Sequence, residues 1–151
     1  MQRRKFLSLG VTAAAVASVL PVSLSATDFR TTAPKAWEAA GSREAIEALF
    51  GLAPLIEGKI ELKAPKLAEN GGAVPIVIKS DVELTTIALF QDANPRSAVA
   101  VFEVGENGVA DMMTKIKMRK TAEVTVVGKG KDGKLYSAVQ KVEVSIGGCG
   151  G

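Results

Sequence analysis

Histidine is absent from all 151 residues of this chain. Its absence removes Ser-His-Asp triads, Cys-His dyads, imidazole metal ligands and imidazole acid–base chemistry together. Cysteine occurs once, as Cys149. A single thiol closes no intrachain disulfide and builds no multi-cysteine zinc or iron–sulfur site. Aromatic residues are scarce, at 5%. Internal repeats are absent, and the only low-complexity stretch is the last five residues.

What is present describes an ordinary globular chain. Hydrophobic residues make up 47% and charged residues 23%, enough apolar surface for one domain with a real core. Fifteen glycines suit a turn-rich fold of small side chains.

Residues 1–26 carry Arg3, Arg4 and Lys5 and no acid, then an apolar run from Phe6 to Leu20, then Pro21 and Ser23-Leu24-Ser25-Ala26. This is the basic, apolar and small-residue order of an export signal. The apolar run falls short of the roughly 20 residues of a membrane span. Arg3-Arg4-Lys5-Phe6-Leu7 is similar to the twin-arginine motif, with a general secretory signal or a retained anchor as alternatives. The expected location is the periplasm, with no membrane association after cleavage near Ala26. Twin-arginine export carries folded proteins, and with no cofactor motif in the chain a co-exported partner subunit is the implied companion. Cleavage also changes the charge. The sequence pI is 9.1, but removal of three leader cations leaves sixteen Lys+Arg against sixteen Asp+Glu. The mature chain is therefore neutral, which argues against nucleic acid as a partner.

Residues 27–34 read as a loose lead-in. Lys35 to Phe50 favours helix, interrupted at Gly41-Ser42. Ser42 is the expected N-cap, Glu44 lies in the first turn, and Gly51 marks the stop. Ala45, Ile46, Leu49 and Phe50 share a face at helical spacing. Trp37 is expected to pack this segment onto the main body. After Pro54 the period changes to two. Strands are predicted over Lys59–Leu62, Val74–Lys79, Glu83–Gln91, Ala98–Val104, Met112–Arg119, Ala122–Gly128 and Leu135–Ile146. Ile116 and Met118 point in, and Lys115, Lys117 and Arg119 point out. Turns are expected at Asn70-Gly71-Gly72, Ala93-Asn94-Pro95, Glu106-Asn107-Gly108 and Lys131-Asp132-Gly133, the last being the strongest hairpin signal. Pro75 belongs at a strand start or an edge. About seven strands with regular turns indicate a mainly β fold, an immunoglobulin-like antiparallel sandwich over residues 27–146 with a short N-terminal helical segment.

The chemistry sits at the end. Gly147-Gly148-Cys149-Gly150-Gly151 comes after the last strand. Glycine-rich chain is flexible and presents no side chain to obstruct a narrow tunnel. No basic residue, histidine or helix N-terminus adjoins Cys149 in sequence to activate it, so the ordinary thiol value of about 8.5 is expected. Such a thiol is badly placed to catalyse and well placed to enter other proteins' active sites. The expected role is a carrier and not an enzyme: Cys149 bears the cargo, and Gly147, Gly148, Gly150 and Gly151 form the arm, residues 147–151. An intermolecular disulfide or an incidental thiol is the structural alternative. Other features read more plainly. The basic run Lys115, Lys117, Arg119 and Lys120 suits a solvated strand face. Met112, Met113 and Met118 suit a core. Glu103, Glu106 and Asp111 show no paired-carboxylate logic. Ile76-Val77-Ile78 and Ala98–Phe102 suit either core or a partner interface.

The terminal Gly-Gly-Cys-Gly-Gly on an exported β-sandwich resembles the SoxY family of sulfur-oxidising bacteria. The twin-arginine-like start, the helix and Glu69-Asn70-Gly71-Gly72-Ala73-Val74-Pro75 support the resemblance. It implies a subunit of a SoxYZ complex, paired with a SoxZ-like β-sandwich. It implies that a c-type cytochrome enzyme couples thiosulfate oxidatively to Cys149 as an S-thiosulfonate. A thiosulfohydrolase then releases sulfate and leaves a persulfide, and in organisms that have it a sulfur dehydrogenase oxidises that sulfur further. No separate cofactor is implied beyond the sulfur held covalently on Cys149. Two other classes remain open. One is an exported structural or adhesive sandwich domain. The other is a ubiquitin-like carrier whose terminal Gly-Gly carboxylate becomes a thiocarboxylate, against which the export signal and the antiparallel strands argue.

Overall fold

The computed structural model describes residues 26–145. The predicted leader, up to Ser25, and the predicted arm, from Ile146, lie outside the described residues.

Three short helices come first among the described residues: α1 (Phe29–Thr32), α2 (Pro34–Glu38) and α3 (Ser42–Phe50). The lead-in is thus more ordered than its composition suggests. Asp28 caps α1, its carboxylate accepting from the Arg30 amide at 3.0 Å and the Thr31 hydroxyl at 2.7 Å. These hydrogen bonds, that of the Thr31 side chain first, hold the Asp28 carboxyl below its ordinary value. Pro34 starts α2, where its missing amide hydrogen costs nothing. Two expectations are corrected here. Gly41, not Ser42, is the N-cap of α3, and no side chain of the cap residue bonds the helix. Ser42 lies one position inside, where its hydroxyl meets Asp92 Oδ1 at 2.8 Å and Ser97 Oγ at 2.9 Å. The capping carboxylate comes from across the fold, since Asp92 also accepts from the Ser42 amide at 2.8 Å. Trp37 fastens α2 to α1 and not to the body: its indole donates to the Phe29 carbonyl at 3.0 Å, and the Arg30 guanidinium lies 4.2 Å from the ring centre.

Nine strands come next: β1 (Leu55–Glu57), β2 (Ile60–Lys63), β3 (Leu67–Ala68), β4 (Val74–Ser80), β5 (Leu84–Gln91), β6 (Ala98–Glu103), β7 (Asp111–Ile116), β8 (Ala122–Gly130) and β9 (Leu135–Val144). The seven predicted strands are all present, with β7 ending three residues early. One sheet runs β1-β9-β8-β5-β6, with β3 also on β9; the other runs β2-β4-β7. The long pairings are antiparallel. The two strands that periodicity did not show, β1 and β3, both lie parallel to β9. Each has three residues or fewer, too short for alternation to register.

The apolar pattern explains the layering. On β4, Val74, Ile76 and Ile78 are fully buried between the sheets. Pro75 is the second residue of that strand, beyond the reach of β2. On β5, Ile87 and Leu89 face the sandwich core, while Ala88 and Phe90 face a second cluster with Ala45 and Ile46 of α3. Both faces of β5 are covered, so its burial is continuous and not alternating. The molecule is therefore three layers: a small sheet, a large sheet and a helical cover.

Candidate functional site

The expected site residues, Cys149 with Gly147, Gly148, Gly150 and Gly151, lie outside the described residues. The fold does position the point from which they depart. Strand β9 delivers the chain to Ser145, and both sides of its end are held. On one side β3 runs alongside, pairing Leu67 with Glu143 and Ala68 with Val144. The Glu143 amide donates to the Lys66 carbonyl at 2.9 Å, and the Ser145 amide to the Ala68 carbonyl at 3.2 Å. The Ser145 hydroxyl adds a bond to the Glu69 carbonyl at 3.1 Å. On the other side the Val144 amide donates to Thr121 Oγ1 at 3.0 Å. Four bonds in three residues make a fixed mount for the C-terminal segment. Covalent geometry limits how far that segment reaches: four residues span at most about 14 Å between the Cα atoms of Ser145 and Cys149.

The surroundings of the mount come from distant parts of the sequence. The predicted basic strand face is instead, beyond Ile116, a turn. Lys117–Lys120 lies between β7 and β8, and the Asn94 side chain organises it. Asn94 Nδ2 donates to the Lys117 carbonyl at 2.7 Å and Asn94 Oδ1 accepts from the Arg119 amide at 3.1 Å. The Met118 amide donates to the Gly71 carbonyl at 2.7 Å, tying the turn to the Asn70-Gly71-Gly72 bend. Met118 is fully buried, and Lys117, Arg119 and Lys120 are exposed, so the in–out alternation read from the sequence persists past the strand end. Lys66, also exposed, stands on the β3 side.

The other singled-out residues separate cleanly. Met112 packs against the core cluster that also contains Met118, whereas Met113 is 69% exposed. Ile76 and Ile78 are core, while Ala98–Phe102 forms the half-buried free edge β6. Asp111 pairs with Lys79 at 3.2 Å. Glu103 accepts from the Thr27 hydroxyl and amide, which lowers its carboxyl below the ordinary value. Glu106 offers its backbone carbonyl to Lys131. Among the described residues no cluster of acids could hold a metal, and no helix is long and apolar enough to cross a membrane. A cavity of ≈ 540 Å³ lies between α3 and the large sheet, lined in part by Ile46, Leu52, Leu55, Glu47, Asp92 and Glu123.

Comparison with known proteins decides the family. The family model described as sulfur oxidation protein SoxY matches residues 46–149, through to the single cysteine. The chain belongs to the SoxY family. Among solved structures, the sulfur carrier protein SoxY from Chlorobium limicola f thiosulfatophilum is 38% identical, covering 69% of this chain and 96% of that one with a TM-score of 0.62. Superoxide reductase (neelaredoxin) from Ignicoccus hospitalis is 12% identical over 58% of this chain and 80% of its own, with a TM-score of 0.52. A putative superoxide reductase from Thermotoga maritima is 15% identical over 62% and 89%, also at 0.52. These two share the fold alone. No curated protein matches this chain. The SoxY match begins within α3, so the α1–α2 pair and its Trp37 anchor precede it.

Proposed function

We propose that the chain is a periplasmic sulfur carrier that holds intermediates of thiosulfate oxidation covalently on the Cys149 thiol. The observation that carries this reading is the extent of the family match, which includes Cys149 itself. The kinship with a sulfur carrier protein at 38% identity supports it. The fixed mount at Ser145 fits the role physically. A carrier needs a body that docks in a defined pose, and the end of β9 held at Ser145 supplies a fixed point four residues before Cys149.

In this reading the thiol's sulfur forms a bond to the sulfane sulfur of thiosulfate. Two electrons pass to a partner c-type cytochrome and one proton leaves the thiol, giving the anionic S-thiosulfonate. Hydrolysis by a thiosulfohydrolase takes up water, releases sulfate and leaves the persulfide on Cys149. Gly147, Gly148, Gly150 and Gly151 keep the path to buried partner sites clear of side chains. A SoxZ-like subunit forms the other half of the working complex, the leader directs export by the twin-arginine route, and a sulfur dehydrogenase, where present, acts on the bound sulfur. No prosthetic group is required of this chain, because catalysis resides in the partners.

Intact mass of the mature protein from thiosulfate-oxidising cells, before and after reductant and with the site mapped, tests the reading. Reductant-labile sulfur adducts on Cys149, absent from a Cys149→Ser variant, are expected. A plain thiol throughout active thiosulfate oxidation would return the chain to the structural class. An adduct on the Gly151 carboxylate would support the thiocarboxylate class instead.

A further inference from the structure

Residues 27–39 are tied to both ends of β6. At the start of that strand the Ser97 amide donates to the Ala39 carbonyl at 3.0 Å, and the Arg96 guanidinium donates to the Glu38 carbonyl. At its finish Glu103, the last residue of β6, takes both polar donors of Thr27. The Thr27 backbone nitrogen donates to Oε2 at 3.2 Å, and the Thr27 hydroxyl donates to Oε1. Among the described residues no other hydrogen bond joins residues 27–32 to a strand, and α1 buries none of its side chains. Glu103 itself is exposed and makes no ion pair among the described residues. Strand β5, which pairs with β6, carries no charge. Asp28, the acid next to Thr27, is engaged by Arg30 and Thr31, and the Arg30 guanidinium lies over Trp37. The Glu103 carboxylate is therefore held by one residue's nitrogen and hydroxyl and has no cation. The strand it ends is the outer one of the large sheet, uncharged from Ala98 to Phe102. The outer strands of the small sheet, β2 and β7, carry Glu61, Lys63, Asp111 and Lys115. An uncharged edge pairs readily with other chains unless a further segment covers it, and residues 27–39 are the segment tied to this one.

We propose that removal of the leader by hydrolysis of the Ala26–Thr27 bond supplies the missing cation: the new Thr27 ammonium pairs with the Glu103 carboxylate and latches residues 27–39 along β6 in the processed chain alone. The proposal rests on the export reading and is independent of the chemistry at Cys149. Hydrolysis takes up one water, leaves a carboxylate on Ala26 of the released leader, and converts the Thr27 amide into an amine. An α-amine has an ordinary value of about 7.7–8.0 and so carries its proton at neutral pH. The nitrogen that already faces Glu103 as a neutral donor with one hydrogen then faces it with three hydrogens and a full charge. No rearrangement is needed, because the contact is in place before the charge is. A charge-assisted bond of this kind is shorter and roughly twice as strong as a neutral one. Thr27 precedes the span that the family model matches, so family membership does not supply this contact. The latch acts on the outer edge of the large sheet, which it closes once the leader is gone.

The test reads the terminal amine directly. The processed chain is purified from the source cells, its N-terminus is fixed by intact mass and peptide sequencing, and Thr27 is the expected first residue. The chain is then acylated briefly with an N-hydroxysuccinimide ester, and the labelled fraction at the α-amine is mapped against that at the exposed lysines. Only the unprotonated amine reacts, and an ion pair lowers its share. At about 10 mM salt the wild-type amine should label about two- to fivefold more slowly than that of a Glu103→Gln variant, the range for an exposed pair. At about 1 M salt, where charges are felt over about 3 Å, the difference should shrink. Gln at position 103 keeps an acceptor for the Thr27 hydroxyl, and the position is exposed, so the variant tests the charge and not the fold. Glu106→Gln, at an exposed acid three residues further on, should label at the wild-type rate. Equal labelling of wild type and Glu103→Gln at low salt overturns the proposal. So does a processed chain that begins at any residue other than Thr27. Failure of the export reading would show separately, as a chain in the cells whose mass still includes residues 1–26.

Discussion

Strand β9 is held in two different ways at its two ends, and the difference separates folding from function in this molecule. At its start, the β8–β9 hairpin is closed by neighbours. Gly133 adopts φ +80, Asp132 accepts from the Lys134 amide at 3.0 Å, and the Tyr136 hydroxyl donates to Asp132 at 2.6 Å. Every partner within the turn lies within four residues, although β1 also runs parallel to Leu135–Ser137. At its finish, the partners are Lys66, Ala68, Glu69 and Thr121, the nearest of them 23 residues away. The hairpin registers the strand. The distant clamp fixes the end of β9 at Ser145. A local closure can form early and cheaply in entropy, whereas the clamp exists only once β3, β8 and β9 are assembled.

Substitutions at the two ends should therefore have crossed effects, and these are the largest expected. Valine at Gly133 must either hold a left-handed backbone or break the turn, at a cost of about 1–3 kcal/mol. The unfolding midpoint should drop, while the folded fraction still loads sulfur at the wild-type rate. Gly147→Val with Gly148→Val should do the reverse, leaving the midpoint unchanged and slowing loading by the partner enzymes. Denaturant titration beside a loading time course reads both. Loading at the wild-type rate by the double variant would remove the unobstructed-arm account.

The same contrast governs what the sequence could disclose. The hairpin was legible because Asp132-Gly133 and the alternation of Ala138, Val142 and Val144 are local signals. The seven longer strands and α3 were legible for the same reason. The candidate cargo residue, Cys149, was conspicuous as a lone thiol among four glycines, and it lies outside the described residues. What escaped was non-local. Ser42 looked like a cap until Asp92, fifty residues away, took that role. The two-residue β3 carries no periodicity, yet half of the clamp depends on it. Lys117, Arg119 and Lys120 read as a solvated strand face and are exposed, but they lie on a turn whose next residue, Thr121, meets the end of β9, which nothing in their neighbourhood records. Trp37 looked like an anchor to the body, but its partners, Phe29 and Arg30, belong to a helix that the composition hid.

A gentler substitution sharpens the clamp. Thr121→Val keeps the shape of the side chain and removes the acceptor for the Val144 amide. The exposed position lets water replace part of the bond, so global stability should fall by about 0.5–1 kcal/mol. The local effect should be larger than the global one. Amide exchange at Val144 and Ser145 should quicken, while exchange at Val126 and Val127 in the middle of β8 stays slow. Unchanged exchange at Val144 would mean that β3 alone fixes the mount.

Acid distinguishes the two ends with the smallest effect. The Tyr136 hydroxyl first, and then the Lys134 amide, hold the Asp132 carboxyl below its ordinary value, and the same bond raises the Tyr136 phenol. A carboxyl whose folded value lies below its unfolded one stabilises the fold above the unfolded value. That contribution is lost as pH falls through the folded value. Protonation of Asp132 thus loosens the hairpin end of β9. The clamp has no such group, because its bonds run between backbone amides, carbonyls and the hydroxyls of Thr121 and Ser145. Lowering the pH from about 6 to about 3, across the ordinary carboxylate range, should deprotect the Lys134 amide more than those of Glu143 and Ser145. Asp132→Asn should abolish that difference while keeping an acceptor for the Lys134 amide. Asp28 and Glu103, also depressed by hydrogen bonds to Thr31 and Thr27, leave the variant with a residual acid dependence at the N-terminal end of the fold. Equal deprotection at both ends of β9 in the wild-type protein would mean that acid acts through the sheet as a whole, and that Asp132 is not what holds its start.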